Sequence, residues 1–255
     1  MNELFSRNGS AATRSGMDQL GELLTQKTCE IERTQGDLHD WVHSVIDSSA
    51  GTVDTRRRFQ LRKDFLAKKF VEEIRPLSLV ADHFYKDRQD VGFRPVFGSG
   101  PFDAQIFDRS SSAVKVIPLE FTQANYDEKM YQRMLFLESH GSVPLTGPVI
   151  KTGTRSSGRL VKAVLQFVNC AQERTGQFNK IAEAARRKAR GPRLPGTRLG
   201  IVYDGLHISK HQDFDQLYDF AVQNLVPVLG GFAFLYLIRS QGDHVFQIPL
   251  ARAAY

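Results

Sequence analysis

Two acidic residues in neighbouring apolar segments are the strongest candidates for chemistry in this chain. Asp103 lies in residues 102–108, where apolar and polar side chains alternate, and Glu120 lies in residues 114–122. A polar DRSSS stretch joins the two segments, which predicts a hairpin. Because side chains along a strand alternate between faces, we expect both acids on one face, roughly 5–8 Å apart at Cβ.

Two half-buried carboxylates this close repel each other unless a cation neutralises them. Mg²⁺ or Mn²⁺ suits the pair, because hard divalent cations prefer oxygen ligands. Such a cation polarises a phosphoryl oxygen and lowers the pKa of a bound water. The alternative is that Asp103 caps the GSGP turn and that Glu120 lies at an exposed strand end. Apolar residues beside Glu120 favour a buried strand instead, where an unpaired carboxylate is costly.

The segments PFDAQI (residues 101–106) and PLEFTQA (residues 118–124) resemble the motif of the PD-(D/E)XK, or restriction-endonuclease-like, nuclease superfamily. In that family an Asp lies on the second strand of a meander, and an acid-x-Lys triplet lies on the third. The resemblance implies that Asp103 and Glu120 hold a catalytic metal ion.

The family often adds a Glu from the preceding helix, and Glu73, or its neighbour Glu72, matches that ligand. The chain departs from the motif at the lysine, since Thr122 occupies that position. Gln123 follows it, but strand alternation directs Gln123 to the other face unless a bulge intervenes. The departure puts catalytic activity in more doubt than the fold.

A basic residue from the next helix can replace the missing charge, and Lys129 or Arg133 is expected to reach the site. The resemblance therefore implies a catalytic group and a metal-binding group that share two acids. The catalytic group is Asp103, Glu120, Thr122, Gln123 and Lys129, and the metal ligands are Asp103, Glu120 and Glu73.

A dense basic cluster suits a polyanionic partner. Its members are Arg186, Arg187, Lys188, Arg190, Arg193 and Arg198, within a chain of formal net charge +6. Basic side chains contact phosphates and hold nucleic acid without reading its sequence. We therefore expect nucleic acid as the partner, DNA in preference to RNA. The alternative is a solvated surface loop.

The elements that must position these residues form an α/β pattern. We predict a mixed central sheet, with a three-strand antiparallel meander plus crossover strands, flanked by helices and preceded by an N-terminal helical extension. The predicted divisions are a flexible tail (1–16), a helical segment (17–50) and a restriction-endonuclease-like domain (51–255). The predicted helices are 55–74, ended by Pro76, then 127–140, 158–174 or through to 190, and 214–225. The predicted strands are 92–97, 102–108, 114–122, 199–203, 231–239 and 244–249, with a linker at 48–52.

The sequence lacks the marks of a membrane or secreted protein. No apolar run is long enough to cross a bilayer, and the N-terminus lacks a signal-like apolar stretch. With two cysteines and no CxxC motif, we expect a cytoplasmic protein with reduced thiols.

The sequence leaves three functions open. The first is a Mg²⁺- or Mn²⁺-dependent endonuclease, a hydrolase acting on phosphodiester bonds. The second, favoured by Thr122, is a catalytically inactive module of the same fold that binds nucleic acid or a protein. The third is an assembly protein that works through its N-terminal helices, which we also expect to be the surface of a homodimer.

Overall fold

The computed structural model describes residues 20–98, 100–124, 128–143, 149–152, 160–164, 169–205, 208 and 210–250. These residues form eight strands in chain order: β1 (Val91–Pro95), β2 (Ala104–Asp108), β3 (Lys115–Gln123), β4 (Val149–Thr152), β5 (Leu160–Ala163), β6 (Arg198–Tyr203), β7 (Phe234–Arg239) and β8 (Val245–Pro249). Six of them build one sheet in the order β1-β2-β3-β6-β7-β8, and β4 pairs with β5.

In the main sheet, the pairing of neighbouring strands changes from antiparallel to parallel at β3. Strands β1, β2 and β3 are antiparallel neighbours, whereas β3, β6 and β7 run parallel. Strand β8 returns antiparallel beside β7. The predicted fold class, an antiparallel meander extended by crossover strands, is confirmed.

Eight α-helices surround the sheet in the described part of the chain. They are α1 (Gln26–Cys29), α2 (Gln35–Ala50), α3 (Val53–Gln60), α4 (Phe65–Lys69), α5 (Arg75–Phe84), α6 (Glu128–His140), α7 (Cys170–Ala189) and α8 (His211–Asn224). A π-helical turn, Phe70–Ile74, joins α4 to α5, and a 3₁₀ turn, Val226–Val228, follows α8.

Each face of the sheet carries its own buried core. One core joins the N-terminal helices to the β1–β3 meander and includes Leu38, Leu77 and Phe121. The other joins α7 and α8 to the parallel strands and includes Ile181 and Leu217. Burying apolar surface on both faces is what stabilises a sheet of this type. Helix α2, from the predicted N-terminal extension, thus shares a core with the sheet.

The predicted helix over residues 55–74 is interrupted. Helix α3 ends at Gln60, and Arg62 adopts a left-handed conformation with φ of 50°. Asp64 then caps α4, where its side chain accepts a hydrogen bond from the amide of Ala67. A new N-cap restarts the helix because its oxygen satisfies an amide that has no partner within the helix.

Pro76 does not end this helical stretch, which continues to Phe84. Proline lacks an N–H, so Pro76 cannot donate the helical hydrogen bond to the carbonyl of Glu72, four residues earlier. Here the wider π turn precedes Pro76, and the side-chain amide of Gln123 donates to the Glu72 carbonyl at 3.1 Å. The expected stop at Pro76 is therefore wrong, because a donor from the sheet replaces the missing one.

Two further boundaries differ from expectation. The predicted helix from residue 158 is wrong at its start, since Leu160–Ala163 forms β5 and α7 begins at Cys170. The predicted linker over residues 48–52 is mostly helix, because α2 runs to Ala50 and Thr52 already caps α3. The predicted tail, residues 1–16, lies outside the described residues.

Two properties of the described chain bear on its expected class. None of its helices is both long enough and apolar enough to span a bilayer. Both cysteines are free thiols, and burial raises the pKa of Cys29 to about 11, which keeps that thiol protonated.

Candidate active site

A polar cleft of about 380 Å³ opens where β3 extends past the start of β2. Its lining includes the acids Glu72, Glu73 and Asp103 and the cations Lys68, Arg187 and Lys188. Phe121, Thr122 and Gln123 from the end of β3 complete it. The cleft therefore receives side chains from α4, the π turn, both hairpin strands and α7.

A β-bulge sets the position of Asp103. The amide of Asp103 donates to the carbonyl of Leu119 at 2.9 Å, yet Leu119 is also the register partner of Ala104. Two residues of this strand thus oppose one residue of β3, which breaks the alternation of faces. As a result, the Asp103 carboxylate turns to the backbone of β3, where Oδ2 accepts a hydrogen bond from the amide of Phe121 at 2.7 Å.

Glu73 approaches Asp103 from the π turn. Lys69 forms an ion pair with Glu73, and its Nζ lies 3.9 Å from Oδ1 of Asp103, so one ammonium lies beside both carboxylates. Burial, together with the negative charge of Asp103, raises the pKa of Glu73 to about 7. The two carboxylates are therefore close enough to repel each other.

Glu120 occupies a different side of the site. Alternation along β3 places Leu119 and Phe121 in the core beneath the N-terminal helices, so Glu120 projects towards α7. There Nζ of Lys188 lies 3.2 Å from Oε2 of Glu120, whose residue is only 8% exposed. The alternative of an exposed strand end is thus wrong for Glu120. The expected close approach of Asp103 to Glu120 stays a prediction.

Thr122, at the position of the motif lysine, lies on the same face as Glu120. Its Oγ1 accepts a hydrogen bond from Arg187 at 3.0 Å, and the same guanidinium donates to the Gln123 carbonyl at 3.4 Å. Helix α7 therefore places the positive charge of Arg187 beside Thr122, the residue at the position of the motif lysine. Gln123 projects to the other face, as alternation predicts, and its amide bonds to the carbonyl of Glu72.

The basic cluster divides into two groups. Arg193 donates to the carbonyls of Lys188 and Ala189, at 3.0 and 2.7 Å, and so caps the end of α7. Arg198 donates to the hydroxyls of Tyr85 and Tyr236, each at 2.6 Å. Both guanidinium groups are held by contacts inside the fold.

The remaining members of the cluster line the cleft or are exposed to solvent. Arg187 and Lys188 line the cleft, and Arg186 and Arg190 are exposed near the end of α7. The side chain of Lys129 lies outside the part of the chain whose side chains are described, and Arg133 is half-buried on α6. Among the side chains that the structure describes, Lys69 pairs with Glu73, Lys188 with Glu120, and Arg62 with Glu72.

Sequence reasoning named Lys188 only as a phosphate contact and missed Lys69 altogether. A signal for Lys69 was present, because a lysine four residues before Glu73 on a helix lies beside it. No comparable signal links residue 188 to residue 120, since that contact depends on how α7 packs against β3.

Asp103 and Glu73 offer carboxylate oxygens, which are the ligand type that a hard divalent cation prefers. Among the side chains that the structure describes, no group of three His, Cys, Asp or Glu residues is arranged to hold a metal ion. Mg²⁺, however, is commonly held by one or two carboxylates together with substrate phosphates. Asp103 and Glu73 supply such a pair. Comparison with protein-family models, with characterised proteins and with solved structures finds no match.

Proposed function

We propose that this protein is a metal-dependent nuclease that hydrolyses phosphodiester bonds, in DNA, within the cleft at the end of β3. One observation carries the proposal: Asp103 and Glu73 come from separate elements to a shared position beside Lys69. They face a cleft whose lining also carries Arg187 and Lys188. Paired acids opposite fixed cations are the arrangement that phosphoryl chemistry needs.

The acids would hold Mg²⁺ or Mn²⁺, with Asp103 and Glu73 as ligands and Glu120 as the third candidate. When bound there, such a cation neutralises the carboxylates and polarises a phosphoryl oxygen. The hydrogen bond from the Phe121 amide fixes one oxygen of Asp103. The other oxygen, Oδ1, faces Lys69 at 3.9 Å and is the one directed at a ligand.

The cations of the cleft bind and orient the substrate. Arg187 carries five N–H donors, of which the structure engages one nitrogen with Thr122 and Gln123. The remaining donors suit a phosphate oxygen. Lys188 supplies, from α7, the positive charge that Thr122 cannot, and it is held in place by Glu120. Negative charge that develops on the reacting phosphate is stabilised by these groups.

The test is cleavage of single-stranded, plasmid and linear duplex DNA by the full chain with Mg²⁺, Mn²⁺ or a chelator. We expect Asp103→Asn and Glu73→Gln to lower the rate by about 100-fold or more. Asp108→Asn, on the same strand as the bulge but paired with Arg88 at its other end, is the matched control and is expected to cut normally. Cutting that persists in Asp103→Asn contradicts the proposal.

A second function is favoured by the ion pairs themselves. Lys69 already neutralises Glu73, and Lys188 already neutralises Glu120, without any added cation. A nucleic-acid-binding module of the same fold needs nothing more. DNA binding that is unchanged by a chelator, with no cutting at any metal concentration, supports the module and excludes the enzyme.

A further inference from the structure

An aromatic side chain beside the cleft is left largely uncovered. Phe65, the first residue of α4, is 61% exposed. Its ring packs edge-on against Phe97, with ring centroids 5.5 Å apart and an interplanar angle of 74°. Burial of the Phe65 ring therefore contributes little to the stability of the fold, because most of the ring stays in water.

The exposed ring is connected to the acids by direct contacts. Phe97 lies beneath Nζ of Lys69, at 5.5 Å from the ring centroid. The same ammonium pairs with Glu73 and approaches Asp103. Phe65 and Phe97 thus form an aromatic step, defined as these two edge-packed rings, that leads from the surface to the carboxylates.

The charge around the step is complementary to a nucleic-acid backbone. Lys68, three residues after Phe65, is exposed and lines the cleft, and Arg187 and Lys188 lie in the same lining. Exposed aromatic rings flanked by cations bind single strands, because each base offers a π face for stacking. A base inside a duplex has both faces covered by its neighbours and cannot use an external ring.

We propose that Phe65 is a stacking platform for an unpaired base, and that the preferred substrate is single-stranded nucleic acid. This inference rests on the proposed function and narrows its substrate class. The base stacks on the exposed side of the Phe65 ring, while Phe97 supports the ring from below. The backbone then runs past Lys68 to the acids.

The experiment measures binding of the full chain, with chelator, to a labelled 20-nucleotide oligothymidine and to a blunt 20-base-pair duplex by fluorescence anisotropy. Phe65→Ala is expected to weaken binding to the single strand about 5- to 150-fold and to leave duplex binding unchanged. Phe65→Trp retains binding, whereas Phe65→Leu, apolar but not aromatic, does not. Val53→Ala, which removes a side chain that is 75% exposed on the neighbouring helix, is the control and leaves both affinities unchanged.

Three results overturn the stacking role: an unchanged single-strand affinity in Phe65→Ala, an equal loss for both ligands, or full binding by Phe65→Leu. If the wild-type chain cuts DNA but Phe65→Ala behaves like it, the inference fails and the proposed function stands. If the wild-type chain binds neither ligand, the inference fails, and the proposed function fails with it if metal-dependent cutting is also absent. Single-strand binding that Phe65→Ala weakens, without metal-dependent cutting, retains the inference and rejects only the catalytic step.

Discussion

The amide of Phe121 on β3 donates a 2.7 Å hydrogen bond to the side chain of Asp103, across the point where the neighbouring strand bulges. A carboxylate held by a backbone amide is fixed in position as well as in charge. The placement of Asp103 therefore depends on the placement of Phe121, whose ring in turn packs over the next strand.

Gly200 on β6 leaves the space that the Phe121 ring fills. A Cβ at this glycine would lie 2.5 Å and 2.6 Å from two ring carbons, well inside contact distance. We expect Gly200→Ala to shift Phe121, to destabilise the protein by roughly 1–3 kcal/mol and to lower cleavage. Gly176→Ala is the control, because a Cβ there meets nothing within 4 Å in helix α7. It should be stabilising by about 0.5–1 kcal/mol in urea unfolding.

Glu73 makes the stability of the metal-free protein fall as pH rises. Its pKa is raised from 4.5 to about 7 in the fold, so the folded state holds a proton that the unfolded chain has released. Between these values the folded state binds more protons, and the free energy of unfolding decreases with pH, by roughly 3 kcal/mol in total. Urea unfolding at pH 4.5 to 8, with chelator, measures the slope.

Glu73→Gln removes this titration. The difference in unfolding free energy between the variant and the wild type should change between pH 4.5 and about 7 and level off above that. Parallel curves for the two proteins contradict the assignment, whatever other groups titrate in both.

Gln123 and Pro76 are coupled through the carbonyl of Glu72. Gln123→Ala removes the 3.1 Å hydrogen bond to that carbonyl and should destabilise the protein by about 1 kcal/mol. Pro76→Ala returns an N–H to the helix, so the same loss should cost less in that background. A double-mutant cycle measures the coupling, which we expect at about 0.5 kcal/mol or more. If the effects of the two substitutions on the free energy of unfolding are strictly additive, Pro76 does not leave the Glu72 carbonyl without a helical donor.

The contribution of Lys188 to stability can be measured separately from its contribution to cleavage. Lys188→Ala leaves the buried Glu120 carboxylate without its 3.2 Å partner, and we expect a loss of about 1–3 kcal/mol. The double variant Glu120→Gln with Lys188→Ala should recover most of that stability, because no charge is left unpaired. Cleavage should stay low in both, as measured on the same DNA. Recovery of cutting in the double variant would remove Lys188 from the chemistry.

Arg193 and Arg187 should behave in opposite ways. Arg193→Ala removes the cap on α7 and is expected to destabilise by about 1 kcal/mol without weakening DNA binding. Arg187→Ala should weaken binding and reduce its dependence on salt, because a phosphate contact is lost. Anisotropy titrations at several salt concentrations, beside urea unfolding, distinguish the two roles. Equal losses of binding in Arg193→Ala and Arg187→Ala would show that Arg193 also contacts nucleic acid.

The six strands of the main sheet follow closely from local pattern, whereas β4 and β5 are not predicted. Alternating residues in β3, with Ile117, Leu119 and Phe121 buried, are enough to place Glu120 and Thr122 on the opposite face. The glycine that ends α6, Gly141, adopts φ of 73° as a C-cap position requires. Such features depend on neighbours in sequence, which is why they are predictable.

The decisive features of the site depend on neighbours in space. The bulge at Asp103 needs Leu119 to accept from the amide of Asp103 while it pairs with Ala104, and nothing in PFDAQI alone indicates it. The π turn at Glu73 is tolerated because Gln123 bonds to it from the sheet. Likewise, Lys188 reaches Glu120 only through the packing of α7. For each of these, tertiary contacts override the local preference that sequence patterns report.

The cleft takes its charged lining from three stretches of chain, at residues 68–73, 103 and 187–188, and Glu120 pairs with the last of them. A chain emerging from the ribosome exposes every acid before α7 has been made. Until that helix docks, Lys188, which balances Glu120, and Arg187, which is proposed to bind phosphate, are absent. Any nuclease activity would consequently arise at the end of folding, so an unfinished chain would be harmless to the nucleic acid around it.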